Sequence, residues 1–238
     1  MKKLIFLSLL LGLPLAGMAA GGAPLEHVKL NMDDQAALQR GAKLFVNYCL
    51  GCHSAAAMRY KRLTDLGLTE EEIQENLIFT GQKVGEPMIS SMDPKAAKDF
   101  FGKAPPDLSV IARSRGIDWL YTYLKSFYKD PARPVGWNNT VFPNASMPNV
   151  MASLQGVQVA RHEKGEHGEK IVLELAKTGS RTPEQFDRDV KDLVSYLAYM
   201  GEPAQLLRKK YGPYVIGFLL LFTLLAYLMK KEYWRDIH

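Results

Sequence analysis

The sequence predicts a mainly α-helical exported domain with loop and β-hairpin insertions, followed by one C-terminal transmembrane helix. Three observations lead to this fold class: amphipathic helical segments near both ends of the body, an alternating segment between them, and a long uncharged run near the C-terminus. The 238 residues are 47% apolar and 23% charged, which excludes a disordered, collagenous or disulfide-rich chain. At roughly 100–200 residues per domain, the chain holds one globular domain with additional segments.

The basic character of the chain is confined to its ends. The formal net charge is +5, a value that on its own suggests an anionic partner such as a nucleic acid. Residues 20–207, however, contain 22 Lys and Arg against 23 Asp and Glu, so the body is slightly acidic. We therefore predict that the protein binds no nucleic acid.

The N-terminus is typical of a secretory signal peptide. Two lysines precede an apolar run from Leu4 to Leu15, and small residues follow it. Gly17 and Ala19 suit the positions three and one before a cleavage site, which predicts removal of residues 1–19. An uncleaved anchor is the alternative, but the run is short for a span of about 20 residues. The exported body is then residues 20–207.

The first helix of the body leads into the only two cysteines of the chain. Two capping-type acids open an amphipathic segment over residues 33–45. Cys49, Cys52 and His53 follow in the pattern C-x-x-C-H, which is typical of covalent c-type haem attachment. In this chemistry each thiol forms a thioether with a haem vinyl group, and the histidine is the proximal iron ligand.

Three other interpretations of the motif are weaker. A thioredoxin-like C-x-x-C is expected in a βαβ context, whereas the flanking segments here are helical. A zinc site needs a second suitably placed pair of Cys or His ligands. A simple disulfide leaves the adjacent His53 unexplained.

A second long helix is predicted from Thr182 to about Met200. It begins Thr-Pro-Glu, a suitable N-cap with proline at the first helical position. Its apolar residues recur every three or four positions and form one buried face. An N-terminal helix that ends in a haem motif and is crossed by a C-terminal helix is the framework of class I cytochromes c. Between the two, alternation from Gly156 to Gly179 predicts a β-hairpin insertion.

The sixth iron ligand is predicted to be a methionine, the usual partner of histidine in electron-transfer haems. Some methionines are excluded as ligands because they lie in the predicted signal peptide, membrane helix or core, or too near the haem motif. Five candidates are left: Met32, Met88, Met92, Met147 and Met151. Met147 is favoured because it lies in a loop rich in proline and asparagine well downstream of His53, and a proline follows it. Met151 is the next choice, and packing in the loop is the alternative for either side chain.

A membrane anchor is predicted over residues 208–230. Residues 213–229 carry no charge, and at about 1.5 Å per residue this stretch is about 25 Å long. Basic clusters and aromatic residues flank both of its ends, which is unusual for a buried core helix, the alternative here. The signal peptide sets the orientation, so residues 231–238 are predicted to be a cytoplasmic tail.

Several segments, in order along most of the mature chain, together resemble the cytochrome c1 family. They are Arg40-Gly41 before the haem motif, Tyr60-Lys61-Arg62-Leu63 with the following residues 66–71, Ala104-Pro105-Pro106-Asp107-Leu108-Ser109 with Arg113 and Arg115, Met147-Pro148, and residues 196–203 before the anchor. The C-x-x-C-H motif is shared by all c-type cytochromes, whereas the Pro-Pro-Asp-Leu-Ser segment with one C-terminal anchor is much more specific. The chain lacks the additional cysteine pair of some relatives.

The resemblance implies a site and a set of partners. It implies one haem c on Cys49 and Cys52, with His53 and Met147 as axial ligands and metal-binding residues. It also implies that Arg115 faces a haem propionate and that Pro106 lies in the segment lining the ring; a solvated turn is the alternative for the arginine. The implied partners are a cytochrome b subunit, a Rieske iron–sulfur subunit and a soluble c-type cytochrome, in a membrane complex that is dimeric.

The implied function is electron transfer by the haem subunit of the cytochrome bc1 complex in a respiratory chain. The chain itself is an electron carrier, and catalysis belongs to the whole quinol–cytochrome c reductase. The implied location is the bacterial inner membrane, with a single span and the haem domain in the periplasm. The alternative function is a free membrane-anchored monohaem cytochrome, acting as a shuttle or as an oxidase subunit.

Overall fold

The computed structural model describes residues 24–165 and 168–236, so the predicted signal peptide lies outside the described residues. Eight α-helices and six strands are described, together with a 3₁₀ helix at Tyr60–Leu66. The helices are α1 (Gln35–Tyr48), α2 (Glu70–Asn76), α3 (Pro94–Phe101), α4 (Ile111–Arg115), α5 (Ile117–Lys125), α6 (Ala152–Gln155), α7 (Pro183–Gly201) and α8 (Gln205–Tyr233). The strands are β1 (Ala55–Arg59), β2 (Pro87–Met88), β3 (Phe127–Lys129), β4 (Trp137–Asn139), β5 (Gly156–Gly165) and β6 (Gly168–Thr178).

Helices α1 and α7 cross at the centre of the domain, as the sequence predicts. The carboxylate of Asp34 caps α1 by accepting a hydrogen bond from the Ala37 N–H, and Thr182 with Gln185 forms a capping box on α7. At the crossing, a Cβ on Gly41 would lie 2.1 Å from the backbone oxygen of Asp192. Only glycine permits this close approach, which brings the haem motif at the end of α1 against the core.

The core lies between the crossed helices, the 3₁₀ helix and α5. Phe45 and Tyr196 pack with their ring centroids 5.6 Å apart, and the Tyr196 and Tyr199 rings follow at 6.3 Å. The predicted apolar face of α7 is buried throughout: Phe186, Val190, Leu193, Val194, Leu197 and Met200. On α1, Leu38 and Phe45 are buried and Leu44 is partly exposed.

The predicted hairpin is confirmed as β5 and β6, and it belongs to a larger sheet. The two strands pair antiparallel from Gly156 opposite Thr178 to the described tip at Gly165 and Gly168. Strand β5 also pairs in parallel with β3, which pairs antiparallel with β4, giving the order β4-β3-β5-β6. The sheet therefore ties the hairpin to the end of α5 and to the loop that follows β4.

Helix α8 is the predicted membrane segment. Its residues 207–233 form the one described helix that is long and apolar enough to cross a membrane, with a mean hydropathy of 2.0 over its most apolar stretch. None of that stretch is buried against the rest of the chain. The helix is longer than the uncharged run, since the flanking basic residues continue it at both ends. The protein is therefore a helical domain carrying an apolar C-terminal helix.

Candidate haem site

The end of α1 places both cysteines of the motif on one turn. The Cys49 N–H donates to the Phe45 carbonyl at 2.9 Å, and the N–H groups of Cys52 and His53 donate to the Cys49 carbonyl at 3.1 and 2.9 Å. Both thiols are free, with Cys49 buried and Cys52 partly exposed. Two free thiols on one turn beside an imidazole suit two thioether bonds to one macrocycle.

The state of the thiols disfavours thiolate chemistry. Burial, and secondarily the neighbouring Cys52 thiol, raises the pKa of Cys49 to about 12. At neutral pH this group is protonated, unlike the activated cysteine of a redox enzyme. In the described residues no group of three or more His, Cys, Asp or Glu side chains is arranged to hold a metal ion. A thioether, which is neutral, is compatible with the buried position.

The carbonyl oxygen of Pro106 orients His53. The Nδ1 atom of His53 lies 2.8 Å from this oxygen, so Nδ1 carries the proton and donates it. Burial lowers the pKa of His53 more than the Pro106 carbonyl and the charge of Asp107 raise it. The imidazole is therefore neutral, and its Nε2 lone pair is available to a metal, as in histidine ligands held by a carbonyl.

Asp107 braces the segment that supplies this carbonyl. Its two carboxylate oxygens accept hydrogen bonds from the N–H groups of Ala56 and Ser109, each at 2.8 Å. Ser54 and Leu108 are joined by a further backbone hydrogen bond of 2.8 Å. Burial acts to raise the pKa of Asp107, but the hydrogen bonds from Ala56 and Ser109 lower it by more. The ionised carboxylate thus holds the Pro106 segment to the chain that follows His53.

Met147 lies beside helix α5. Its side chain is partly buried against the core, and the Tyr123 hydroxyl donates a hydrogen bond to its sulfur at 3.4 Å. Burial raises the pKa of Tyr123 to about 12, so this hydroxyl stays protonated and remains a donor. A partly exposed thioether oriented by a hydroxyl is suited to metal ligation.

The other candidate methionines differ in exposure. Met88 and Met151 are buried in the core, at 0% and 1% exposure, and the Tyr196 hydroxyl donates to the Met88 sulfur at 3.5 Å. Met32 and Met92 are partly exposed, and Met32 packs against the core. Met151 is therefore enclosed by the core, whereas the Met147 side chain is partly exposed.

Arg115 lies over aromatic rings next to the segment that carries Met147. Its guanidinium carbon is 5.1 Å from the Trp119 ring centroid and 5.8 Å from that of Phe142. Trp119 in turn stacks on Tyr123, with centroids 4.7 Å apart and planes 12° apart. The described contacts of this arginine are with rings, an arrangement that positions the cation and leaves it free to meet an anion.

The predicted site residues thus form two groups. Cys49, Cys52, His53 and Pro106 are joined at the end of α1, and Arg115 and Met147 are joined through the aromatic face of α5. Sequence reasoning missed Asp107, Trp119 and Tyr123 as supporting residues. The spacing of Trp119 and Tyr123, four residues apart on α5, is a helical-face signal that was available in the sequence.

These residues fit a covalently attached haem c. Two free thiols lie on one turn, the adjacent imidazole is neutral with Nε2 unprotonated, and a thioether oriented by a hydroxyl is available from a separate loop. This donor set supplies the two attachment points of a c-type haem, together with the histidine and methionine that ligate iron in cytochromes c.

Comparison with known proteins agrees with this chemistry. Residues 27–237 match the model of the Cytochrome C1 family. Cytochrome c1 of Allochromatium vinosum is 47% identical over the full length of both chains. A protein of Nitrosomonas europaea named ammonia monooxygenase gamma subunit is 46% identical over 100% of this chain and 99% of its own length. Cytochrome c1 of Rhodospirillum rubrum is 27% identical, over 86% of this chain and 83% of its own.

The family match covers most of the chain, including both groups of site residues. Proteins of this family carry one covalently attached haem c and are the haem subunit of the cytochrome bc1 complex. The apolar helix α8 is consistent with attachment to a membrane. The chain belongs to the cytochrome c1 family.

Proposed function

We propose that this chain accepts electrons from a Rieske iron–sulfur protein and passes them to a soluble c-type cytochrome within a quinol–cytochrome c reductase. The observation that carries the proposal is the 2.8 Å hydrogen bond from His53 to the Pro106 carbonyl, next to two free thiols. That contact presents a neutral imidazole for iron ligation rather than for proton transfer.

The residues of this chain bind and position the redox group. When bound, the haem supplies a one-electron centre whose iron alternates between the ferric and ferrous states. Cys49 and Cys52 would hold it covalently, and His53 and Met147 would ligate its iron. Since electron transfer between two carriers forms no bond in the protein, the chain needs no general acid, base or nucleophile.

Two further residues are assigned to the surroundings of the haem. The backbone of Pro106 orients His53, and its ring belongs to the segment that lines the haem. The exposed cation of Arg115, held over Trp119 and Phe142, is placed to pair with a haem propionate. Pairing with the arginine would lower the cost of holding the charged propionate at the edge of an apolar pocket.

We further propose a single-pass topology in the bacterial inner membrane. Residues 1–19 are a cleaved signal peptide, residues 20–207 lie in the periplasm, residues 208–230 span the membrane and residues 231–238 face the cytoplasm. The apolar helix α8 and its basic flanks support a membrane span, and the orientation follows from the proposed signal peptide. Alkaline phosphatase fused after residue 207 is expected to be active, whereas the same enzyme fused after residue 236 is expected to be inactive. The reverse result contradicts the topology.

Co-purification tests the proposed complex. The full-length chain with an affinity tag on its C-terminus is solubilised from its own membranes in mild detergent and purified. We expect a b-type cytochrome and an iron–sulfur protein to co-purify, and the preparation to reduce added cytochrome c in the presence of a quinol. Purification of a haem-bearing chain without these two proteins contradicts the assignment to the reductase.

Haem staining and absorption spectra test the assigned ligands. On a denaturing gel the wild-type chain should stain for haem, and a Cys49→Ser, Cys52→Ser variant should not. Met147→Leu should abolish the weak long-wavelength band that methionine ligation gives a ferric haem, and it should allow carbon monoxide to bind the ferrous form. Met151→Leu is the matched control and should keep the band. Loss of the band in Met151→Leu alone would contradict the assignment of Met147.

A second candidate function follows from the Nitrosomonas europaea relative, which bears the name of a monooxygenase subunit. On that basis the chain is a membrane-anchored monohaem subunit or shuttle serving a different membrane oxidoreductase. The same co-purification separates the two functions, because a different oxidoreductase would replace the b-type cytochrome and the iron–sulfur protein.

A further inference from the structure

We propose that Asn139 is a positioning residue that holds the Met147 loop, residues 140–147, against helix α5. The proposal rests on the proposed role of Met147 as an axial ligand. Asn139 is the last residue of β4, and its side chain is buried, with 1% exposure. A buried amide of this kind is stable only when its donors and acceptor are satisfied.

The side chain of Asn139 connects the start of the loop to the helix. Its Oδ1 atom accepts hydrogen bonds from the N–H groups of Val141 and Phe142, at 2.9 and 3.1 Å. Its Nδ2 atom donates to the main-chain oxygen of Tyr123 at 2.8 Å. One amide therefore fixes the first turn of the loop and ties that turn to α5.

The neighbouring Asn138 fixes the middle of the loop. Its Oδ1 atom accepts a hydrogen bond from the Asn144 N–H at 2.8 Å, and its Nδ2 atom donates to Asp130 at 2.9 Å. Asn144 has a positive φ of 64°, a conformation that asparagine tolerates better than most residues. The chain direction three residues before Met147 is thus set by side-chain contacts rather than by regular secondary structure.

Tyr123 contacts both ends of the loop. Its main-chain oxygen accepts from Asn139 at the start, and its hydroxyl donates to the Met147 sulfur at the end, 3.4 Å away. Phe142, between these two points, lies edge-on to Trp119, with centroids 6.3 Å apart. Since methionine is a neutral ligand whose position depends on its loop as well as on the Tyr123 hydroxyl, freedom at Asn139 should be transmitted to the thioether.

The proposal predicts a weakened sixth ligand when Asn139 is changed. In Asn139→Ala two N–H groups lose their acceptor, the Tyr123 main-chain oxygen keeps only the Ser126 N–H as a donor, and the loop is released from α5. We expect added imidazole to displace Met147 from the ferric haem at about one tenth of the concentration needed for the wild-type complex, a factor that corresponds to about 1.4 kcal/mol.

Gln82→Ala provides a matched control for general loss of stability. Gln82 also makes three hydrogen bonds that hold a loop, with Tyr60, Thr80 and Pro87, but it does not belong to the Met147 loop. The variants are compared in the purified complex, well below the unfolding temperature of each. Gln82→Ala should lower the melting temperature without changing imidazole binding.

The outcomes separate the positioning role from the ligand assignment. Imidazole binding by Asn139→Ala that equals the wild type, or an equal change in Gln82→Ala, overturns the positioning role. If Met147→Leu keeps the long-wavelength methionine band, the ligand assignment and the positioning role are both wrong. If Met147→Leu loses the band while Asn139→Ala binds imidazole as the wild type does, only the positioning role is wrong.

Discussion

The imidazole Nδ1 atom of His53 lies 2.8 Å from the carbonyl oxygen of Pro106, a residue 53 positions away in the chain. This contact joins the haem motif to the Pro-Pro-Asp-Leu-Ser segment, and the Asp107 carboxylate reinforces it from the next position. The orientation of the proposed iron ligand therefore depends on a second segment of the chain.

We predict that Asp107→Ala weakens this connection. Ala56 and Ser109 each lose the acceptor for a backbone N–H, so the free energy of unfolding should fall by about 1–2 kcal/mol. A weaker hydrogen bond from His53 makes the imidazole a poorer electron donor, so the haem reduction potential should rise. Urea unfolding and redox titration of the holoprotein measure the two effects.

Asp93→Ala is the control for the Asp107 variant. Asp93 caps α3 by accepting a hydrogen bond from the Ala96 N–H at 2.7 Å, so its loss should also cost about 1 kcal/mol. The reduction potential should not change, because α3 does not supply the carbonyl bound by His53. Equal potential shifts in both variants would argue against a specific role for Asp107.

The crossing of α1 and α7 should not tolerate a methyl group at Gly41. In Gly41→Ala the new Cβ would lie 2.1 Å from the Asp192 backbone oxygen and 2.7 Å from the Tyr196 Cβ, so the helices must move apart. The expected loss of stability is about 1–3 kcal/mol, despite the better helix propensity of alanine. Thermal melting of both variants measures this loss. Gly85→Ala is the control and should be nearly neutral, because its added Cβ would meet no other part of the protein within 4 Å.

The ion pair of Arg40 and Asp192 should contribute to stability mainly by satisfying a buried charge. The two side chains approach to 2.6 Å, with the carboxylate only 7% exposed and the guanidinium 53% exposed. Arg40→Ala leaves the carboxylate unpaired and should cost about 1–3 kcal/mol. In a double-mutant cycle, adding Asp192→Asn to Arg40→Ala should recover part of this loss. Strictly additive effects in urea unfolding would show that the two side chains do not couple.

Much of the fold could be predicted because its signals are local. The Thr-Pro-Glu start of α7, the alternation of β5 and β6, and the uncharged run of α8 each depend on neighbouring residues alone. The pairing of β1 with β2 and of β3 with β5 was not predicted, since those contacts are short and their partners lie far apart in the sequence.

The candidate site also combines residues with a local sequence signal and residues whose role depends on distant contacts. Cys49, Cys52 and His53 follow from spacing, and the contact of His53 with Pro106 agrees with the place that the family resemblance gives to the Pro-Pro segment. The proposed role of Asn139 could not be predicted from the sequence. Its hydrogen-bond partners are main-chain atoms of α5 and of its own loop, which only the folded chain brings together. The axial role of Met147 stays a prediction that the ligand experiments must test.

Acid should remove the contribution of Asp187, which links α7 to α5. Burial acts to raise its pKa, but hydrogen bonds from Lys125 and Tyr121 lower it by more, so the folded pKa lies below the ordinary value. A depressed carboxyl pKa stabilises the fold above the unfolded pKa of about 3.9, and the effect is lost as the pH falls through the folded value.

Asp187→Asn should therefore destabilise the protein at pH 7, and by less at pH 3, which lies below the ordinary carboxyl pKa of about 3.9. The side chain is 45% exposed, so the expected difference in unfolding free energy is only about 0.5–1 kcal/mol. Urea unfolding at both pH values measures it, with Asp99→Asn, an exposed residue of α3, as the control. A difference from wild type that persists unchanged in acid would contradict the assignment of this effect to the carboxylate.

Tyr123 should raise the reduction potential of the haem through its hydrogen bond to the Met147 sulfur. A hydrogen bond donated to the sulfur makes the thioether a poorer electron donor to the iron, which disfavours the ferric state. Tyr123→Phe keeps the ring stacked on Trp119 but removes the hydroxyl. A hydrogen bond of about 0.5–1.5 kcal/mol corresponds to a fall of roughly 20–60 mV for one electron. Tyr121→Phe, on the same helix, removes a hydroxyl that donates to Asp187 and should leave the potential unchanged. Equal shifts in the two variants would show that the potential responds to changes in α5 generally and not to the contact with Met147.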